Sequence, residues 1–504
     1  MSDARSKHKI IILGGGTAGW MAANLFVAKL PSERVEICLV ESPDVDIIGV
    51  GEGSTPTLKR FFEMIGVTEK EWMPRCNATY KLNIRFSGWS PASGNASYSH
   101  PFFSQLDTFS QRAFVVNCMT RRLKLDVNTN PQDFFINAVL AKQGAGPLTP
   151  ENFPFRMEYG YHFDSSLMGK MLAEFAFKRG VNYKLAHVDS VLRHENGDIR
   201  ALCLRNGEIL DAEFFVDCTG FASLLMQKTL DIQFCDFGNN LFNDSAVVMP
   251  TPIGGEIPVE TTAEALTAGW CWKIPLQNRF GNGYVYSSSF ISHDSAEHEF
   301  RRHLGMLEAD VECRRLKMRV GQLEHHWSHN CLAVGLSQGF IEPLEATALH
   351  LVQISLELFI AKYLEGDLSS RYRDEFNKKI KDRFERVRDY IVAHYKLNTR
   401  DDSAYWQENR NNKQLSDSLI QLLDVWFRAG DLSKEIERQN IESHFGTLSW
   451  HCLLAGYGVF PDVAADQPGE GDRYKELQIE KFLGGCALNF SSHNKNLSML
   501  DSKC

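Results

Sequence analysis

The 504-residue sequence predicts an α/β fold, with a Rossmann-like unit at its N-terminal end and a mainly helical module in its C-terminal third. Three observations carry the prediction. An apolar run from Ile10 to Leu13 leads into Gly14, Gly16 and Gly19, and then into helical spacing from Trp20 to Leu30. A second apolar stretch, "RVEICLVES", ends near an acid, Glu41, at the distance of about 20 residues expected of a nucleotide-binding β-α-β unit. Three stretches with apolar residues at helical period, 346–364, 371–394 and 414–429, crowd the second half.

Each element has a physical reason. The G-x-G-x-x-G turn lets the chain reverse tightly after a buried parallel strand. It also lets a pyrophosphate approach the backbone and the free N–H groups of a helix N-terminus. Glu41 stands where an acid would meet ribose hydroxyls. Residues 161–220 read as helix, strand, a hairpin around Asn196-Gly197, and a strand ending at Asp217-Cys218-Thr219-Gly220. That order is similar to the one in FAD-dependent monooxygenases, where a small-residue turn packs near the flavin. "NCLAVGLSQGFIEPLEATALHLVQISLELFIAKYL" reads as strand, glycine-rich turn and long apolar helix. The helix start there suits a flavin ring or an anion. In "GWCWKIP", strand alternation puts Trp270 and Trp272 on one face. Core, substrate platform and barrier all remain open for them. The expected organisation is a nucleotide-binding domain over 1–360, with pocket segments inserted at about 80–150, and a helical module over 361–504. The polar end after Pro468 reads as loosely packed.

Charge and composition exclude several classes. A net charge of −9 argues against a nucleic-acid partner, which needs a basic face. "KKIKDRFERVR" interleaves acids with bases and reads as a solvated helix face. "MSDARSKHKI" lacks the apolar core of a signal peptide, and no apolar run is long enough to span a bilayer. The 12 cysteines are scattered without CxxC or zinc spacing. They read as reduced thiols of a cytoplasmic protein, with no metal site.

Six separated stretches, "GGGTAGWMAA", "IGVGEGSTP", "YKLNIRFSGW", "HPF", "GWCWKIP" and "GFIEPLEAT", together resemble the flavin-dependent tryptophan halogenase family, from about Lys9 to about Pro461. The resemblance implies an FAD-binding, monooxygenase-type domain and a separate NAD(P)H-dependent flavin reductase that supplies FADH2. Reduced FAD, dioxygen and a halide ion (chloride or bromide) then yield hypohalous acid, which travels through a tunnel to an indole-type aromatic. Cofactor contacts carry over to Gly14, Gly16, Thr17, Ala18, Gly19, Glu41, Gly51, Glu52, Val188, Leu336 and Leu349. A homodimer is compatible with this reading.

The family's catalytic lysine matches Lys81 in "ATYKLNIRF". Its ammonium would polarise hypohalous acid by a hydrogen bond, or its amine would form a haloamine; both routes stay open. The family's glutamate matches Glu345, which would stabilise positive charge on the ring and take its proton. Glu342, three residues earlier, reads as a turn contact. Halide contacts fall on Thr347 and Ala348. Better-known members read Glu-Ser-Thr-Gly, whereas this chain reads Glu345-Ala346-Thr347-Ala348. A backbone halide site therefore requires negative φ at Ala348. Trp270, Trp272, Ile274 and Pro275 carry over as a tunnel wall. Their bulk would keep an aromatic away from the flavin and so prevent hydroxylation.

His100, Phe102, Phe103 and Trp450 are the expected substrate pocket, with aromatic faces stacking on a flat indole. Members acting on free tryptophan carry a Tyr-Tyr pair where this chain has Ser449 and Trp450, and residues 450–461 contain no carboxylate. A zwitterion would lose hydration there and gain little. An indole-type or larger indole-bearing substrate follows. The alternatives are a flavin-dependent aromatic hydroxylase and a free-tryptophan halogenase.

Overall fold

A computed structural model describes residues 7–44 and 51–501. Its nucleotide half is a six-stranded sheet. The strand order is Trp327–Ser328, Cys331–Ala333, Phe214–Asp217, His8–Leu13, Val35–Glu41 and Asn182–Leu185. All neighbours are parallel except the first pair. The strand His8–Leu13 sits inside the sheet and is covered on both faces, which explains its unbroken apolar run. Ile10 and Ile12 join the large core, and Ile11 and Leu13 a smaller one on the other face. Helix Thr17–Lys29 follows the glycine turn and packs on helices Ser165–Lys178 and Ala348–Glu365.

The second half is built on a seven-stranded sheet. Its order is Arg314–Lys317, Ser245–Thr251, Phe280–Tyr286, Gly269–Pro275, Glu260–Leu266, Asn83–Ser87 and Ser97–Pro101. "GWCWKIP" is the strand Gly269–Pro275, as expected, and its alternation separates two environments. Trp270, Trp272 and Ile274 enter the main core, while Cys271 points to the opposite face with Tyr284, Tyr286 and Phe300. A small sheet of Glu52–Gly53, Gly160–Phe163 and Thr79–Lys81 lies beside it. The chain leaves this small sheet at Lys81 and joins the large one at Asn83, so Lys81 stands at the crossing.

Helices Ala348–Glu365, Arg373–Lys396 and Asp417–Phe427 match the three periodic stretches within a few residues. The first packs on Thr17–Lys29 and Thr57–Met64 as well as on Arg373–Lys396, and so joins the two halves. The C-terminal end is also tighter than its polar composition suggests. Residues 473–476, 479–487 and 493–501 are helical. His493 is buried; Nδ1 bonds the Ile257 carbonyl at 2.8 Å, and Nε2 accepts the Tyr80 N–H at 3.2 Å. Asn496 accepts the Leu148 N–H at 2.9 Å. The polar side chains there serve backbone groups of distant segments.

Among the described residues, no helix is long and apolar enough to cross a membrane, and no cluster of His, Cys, Asp or Glu could hold a metal. The eleven described cysteines are all free, and each is buried or half-buried.

Candidate functional site

The glycine turn is shaped by close approaches. Gly14 has φ of +114°, and a Cβ there would lie 2.2 Å from the Cys218 carbonyl oxygen. A Cβ on Gly19 would lie 2.0 Å from the Gly14 oxygen, so helix and strand could not close together with a larger residue. Gly16 is different: nothing stands within 4 Å of its absent Cβ, and it caps helix Thr17–Lys29 without a side-chain bond. The N–H groups of Thr17 and Ala18 therefore open toward a ligand. Ala18 lies 2.7 Å from where Gly335 would carry a Cβ, which seats the turn Gly335–Ser337, with Leu336, beside the cradle. Glu41 lies over Gly15 and accepts the Tyr183 hydroxyl at 3.0 Å. Val188 opens the strand that follows the Ala186 N–H bond to Glu41. These features fit a dinucleotide such as FAD.

Gly51 and Glu52 link the cradle to the tryptophan strand. A Cβ on Gly51 would lie 3.8 Å from Ile274 Cγ2. The Glu52 carboxyl is set deep, and burial pushes it up to about 7. Residues 48–50 of the "IGVGEGSTP" motif lie outside the described residues.

Lys81 is wholly buried, and its Nζ has no hydrogen-bond partner among the described residues. Burial lowers it to about 7, against the opposing pull of the Glu345 charge. Its Nζ lies 5.5 Å from the centre of the Phe102 ring.

Glu345 ends the short turn Pro343–Glu345 and is gripped by two imidazoles. His100 Nδ1 lies 2.9 Å from Oε2, and His394 Nε2 lies 3.1 Å from Oε1. Burial alone would raise this carboxyl, but the two histidines outweigh it and hold it down to about 2. An ionised carboxylate only accepts, so both rings donate to it. His394 is itself driven toward neutrality by burial, against the pull of Glu345, and therefore acts through its N–H. Its Nδ1 is then free to accept the Tyr457 hydroxyl at 3.1 Å. His100 Nε2 meets the Ser449 hydroxyl at 3.0 Å.

Glu342 is more than a turn contact. Its Oε2 accepts from Asn243 Nδ2 at 2.7 Å, the Tyr395 hydroxyl at 2.8 Å and Trp270 Nε1 at 3.1 Å. Burial still raises its carboxyl, despite those three bonds. Trp270 and Trp272 are both buried, with ring centres 6.0 Å apart. Trp272 lies flat against Gly283 on the next strand, where a Cβ would come within 2.1 Å of its ring. Pro275 ends the strand and offers its carbonyl to Thr79.

Thr347 and Ala348 stand at the start of the 18-residue helix Ala348–Glu365. The Thr347 hydroxyl is buried without a partner among the described residues. Ala348 is the first helical residue and is not among the positive-φ positions; the left-handed residue is Ala346, at +56°. The condition set by the missing glycine is therefore met.

Phe102 and Phe103 are half-buried; Phe103 lies 6.1 Å from His100. Trp450 is 2% exposed and meets Tyr390 edge-on at 5.0 Å, and it is Ser449 that reaches His100. Tyr390 in turn stacks on Phe445 at 3.8 Å. Sequence reasoning missed His394 and Tyr390. Their i, i+4 spacing on an apolar helix face was the available signal, but buried core residues produce the same pattern.

A family model described as tryptophan halogenase matches residues 9–469. The tryptophan 6-halogenase SttH of Streptomyces toxytricini is 34% identical over 448 residues, 84% of each chain. The tryptophan 7-halogenase RebH of Lentzea aerocolonigenes is 32% identical over 483 residues, 90% of each chain. Among solved structures, BrvH, a flavin-dependent halogenase from Brevundimonas sp. BAL3, superposes with a TM-score of 0.82 at 29% identity. That match covers 99% of this chain and 100% of BrvH.

Proposed function

The chain belongs to the tryptophan halogenase family, and from that premise we propose that it is a flavin-dependent halogenase acting on an indole-type ring by electrophilic substitution. One observation carries the assignment of roles: a buried lysine with no hydrogen-bond partner among the described residues shares a site with a buried carboxylate held ionised by two histidines. FAD, reduced by a separate reductase and bound at the glycine cradle, would supply the oxidation of halide by dioxygen to hypohalous acid. The open N–H of Ala348 and the Thr347 hydroxyl, which has no partner among the described residues, are the halide seat.

The protein's own groups do the rest. Trp270, Trp272, Ile274 and Pro275 leave passage only for a small oxidant. The Lys81 ammonium donates to the oxygen of hypohalous acid, so that hydroxide departs as water while the halogen bonds to a ring carbon. Glu345 opposes the positive charge on the ring and then takes the proton from that carbon. Lys81 is left as amine and Glu345 as acid, and transfer of one proton between them resets the site. A carboxyl whose ordinary state is so strongly ionised yields that proton readily.

Ser449 in place of a tyrosine pair, and the absence of a carboxylate from 450–461, favour an indole-type substrate over the free amino acid. The free cysteines suit the reducing cytoplasm, where a reductase and NADH are at hand. The test is incubation with FAD, a flavin reductase, NADH, bromide or chloride, and either indole or tryptophan, followed by mass spectrometry. Halogenated indole is expected. Hydroxyindole formed without halide would establish the hydroxylase instead, and tryptophan turned over as well as indole would refute the substrate assignment.

A further inference from the structure

A chain of hydrogen bonds beside Lys81 has no part in the steps above. Thr79 donates its hydroxyl to the Pro275 carbonyl at 2.7 Å, which commits its only proton. His162 Nδ1 lies 3.0 Å from the same oxygen and must therefore be the donor to it. His162 is wholly buried, and burial first, then the charge of Lys81, keeps the ring neutral. Its Nε2 consequently carries a lone pair and accepts the Thr261 hydroxyl at 2.9 Å. Thr261 has then spent its proton as well, and offers only lone pairs to anything else that approaches. One backbone carbonyl at the end of the tryptophan strand thus fixes the direction of every bond in the chain.

The open side of Thr261 and the ammonium of Lys81 both approach the bare face of Gly53. A Cβ on Gly53 would lie 3.2 Å from Lys81 Nζ, 3.4 Å from Thr261 Oγ1 and 3.7 Å from His162 Cδ2. Lys81 Nζ and Thr261 Oγ1 thus converge on one point above the bare Gly53 backbone. Lys81 is a donor with no partner among the described residues, and Thr261 is an oriented acceptor. Hypohalous acid has both complements, an oxygen that accepts and an O–H that donates.

We propose that Thr261 binds the oxidant: it accepts the hydrogen bond of the hypohalous O–H while Lys81 donates to the same oxygen. Both functions of the hydroxyl are then fixed, and only the halogen end is free to meet the ring. No bond is made or broken in this step. The inference rests on the reading that Lys81 receives the oxidant, and the experiment separates the two.

Three single variants, Thr261→Val, Thr261→Ser and Gly53→Ala, are compared with Lys81→Met. Two quantities are measured: halogenated indole formed per FADH2 oxidised, and oxidant released to a soluble β-diketone trap. Thr261→Val is expected to lower product per FADH2 by about tenfold, the worth of one hydrogen bond, and to raise trapped oxidant correspondingly. Thr261→Ser restores the ratio to within about twofold, because the hydroxyl returns. Gly53→Ala sets a methyl between Lys81 Nζ and Thr261 Oγ1 while leaving both side chains in place, and is expected to behave like Thr261→Val. Unchanged coupling in both Thr261→Val and Gly53→Ala, with Lys81→Met inactive, would overturn the role of Thr261 and leave that of Lys81 standing. Full activity in Lys81→Met would overturn both.

Discussion

Glu342 and Glu345 bracket one short turn, both buried, and the two regions they serve differ sharply. Around Glu345 the partners are imidazoles, one on each oxygen. Around Glu342 three neutral donors crowd a single oxygen, and the other has none among the described residues. The first surroundings hold the carboxyl down to about 2; the second let burial push it up. Burial is common to both, so burial does not decide the charge state. The nature of the partners does: the electrostatic pull of His100 and the bonds from both imidazoles outweigh burial at Glu345, whereas three neutral donors on one oxygen do not at Glu342. One region keeps a negative charge between two imidazoles, and the other fixes the indole N–H of Trp270.

The sharpest break of that comparison is Glu345→Gln. Loss of the charge should lower halogenation by roughly 10²- to 10⁴-fold while FADH2 oxidation continues, read as product against flavin turnover. An equal loss in Glu342→Gln would erase the distinction between the two acids. Next comes Trp270→Ala combined with Trp272→Ala. With the wall gone, hydroxylated indole is expected beside halogenated indole, and removal of each ring should cost about 3–5 kcal/mol of stability, read from urea unfolding. Only halogenated product from a folded double variant would show that the wall lies elsewhere.

The pH profile is the third test. Burial lowers Lys81 to about 7, so it is ammonium below that pH and amine above it. Glu345 stays ionised throughout. Product per FADH2 should therefore fall as pH rises through about 7, approaching tenfold per unit well above it. A rise across the same range would instead identify the amine, and a haloamine, as the working form. Glu342→Gln is the smallest expected effect. An amide still accepts from Asn243, Tyr395 and Trp270, so activity should stay within about threefold and stability within about 1 kcal/mol.

Most of the frame was legible because local chemistry dictates it. The Gly14–Gly19 turn, the acid at Glu41 and the alternation through Trp270 and Trp272 need no distant partner to be read. Lys81 and Glu345 were legible only through the stretches around them. His394, Thr261 and His162 were not, because their meaning lies in contacts across 49, 180 and 81 positions of chain, to Glu345 and, in the last two cases, to the surroundings of Lys81. Ser449 was not singled out as a contact, because its bond to His100 spans 349 positions of chain. The C-terminal end read as loose because its polar residues have no partners nearby in sequence; His493 and Asn496 find theirs on segments more than two hundred residues earlier.

A protein that makes hypohalous acid carries the hazard of its own product. Thiols and thioethers are the side chains such an oxidant attacks most readily. None of the eleven described cysteines is exposed, and Cys271, between the two wall tryptophans in sequence, faces away from them into a separate small core. The strand's twofold alternation thus does two things at once: it sets Trp270 and Trp272 into the main core and turns the sulfur between them to the opposite face. A thiol one residue from each tryptophan is thereby kept on the other side of a seven-residue strand.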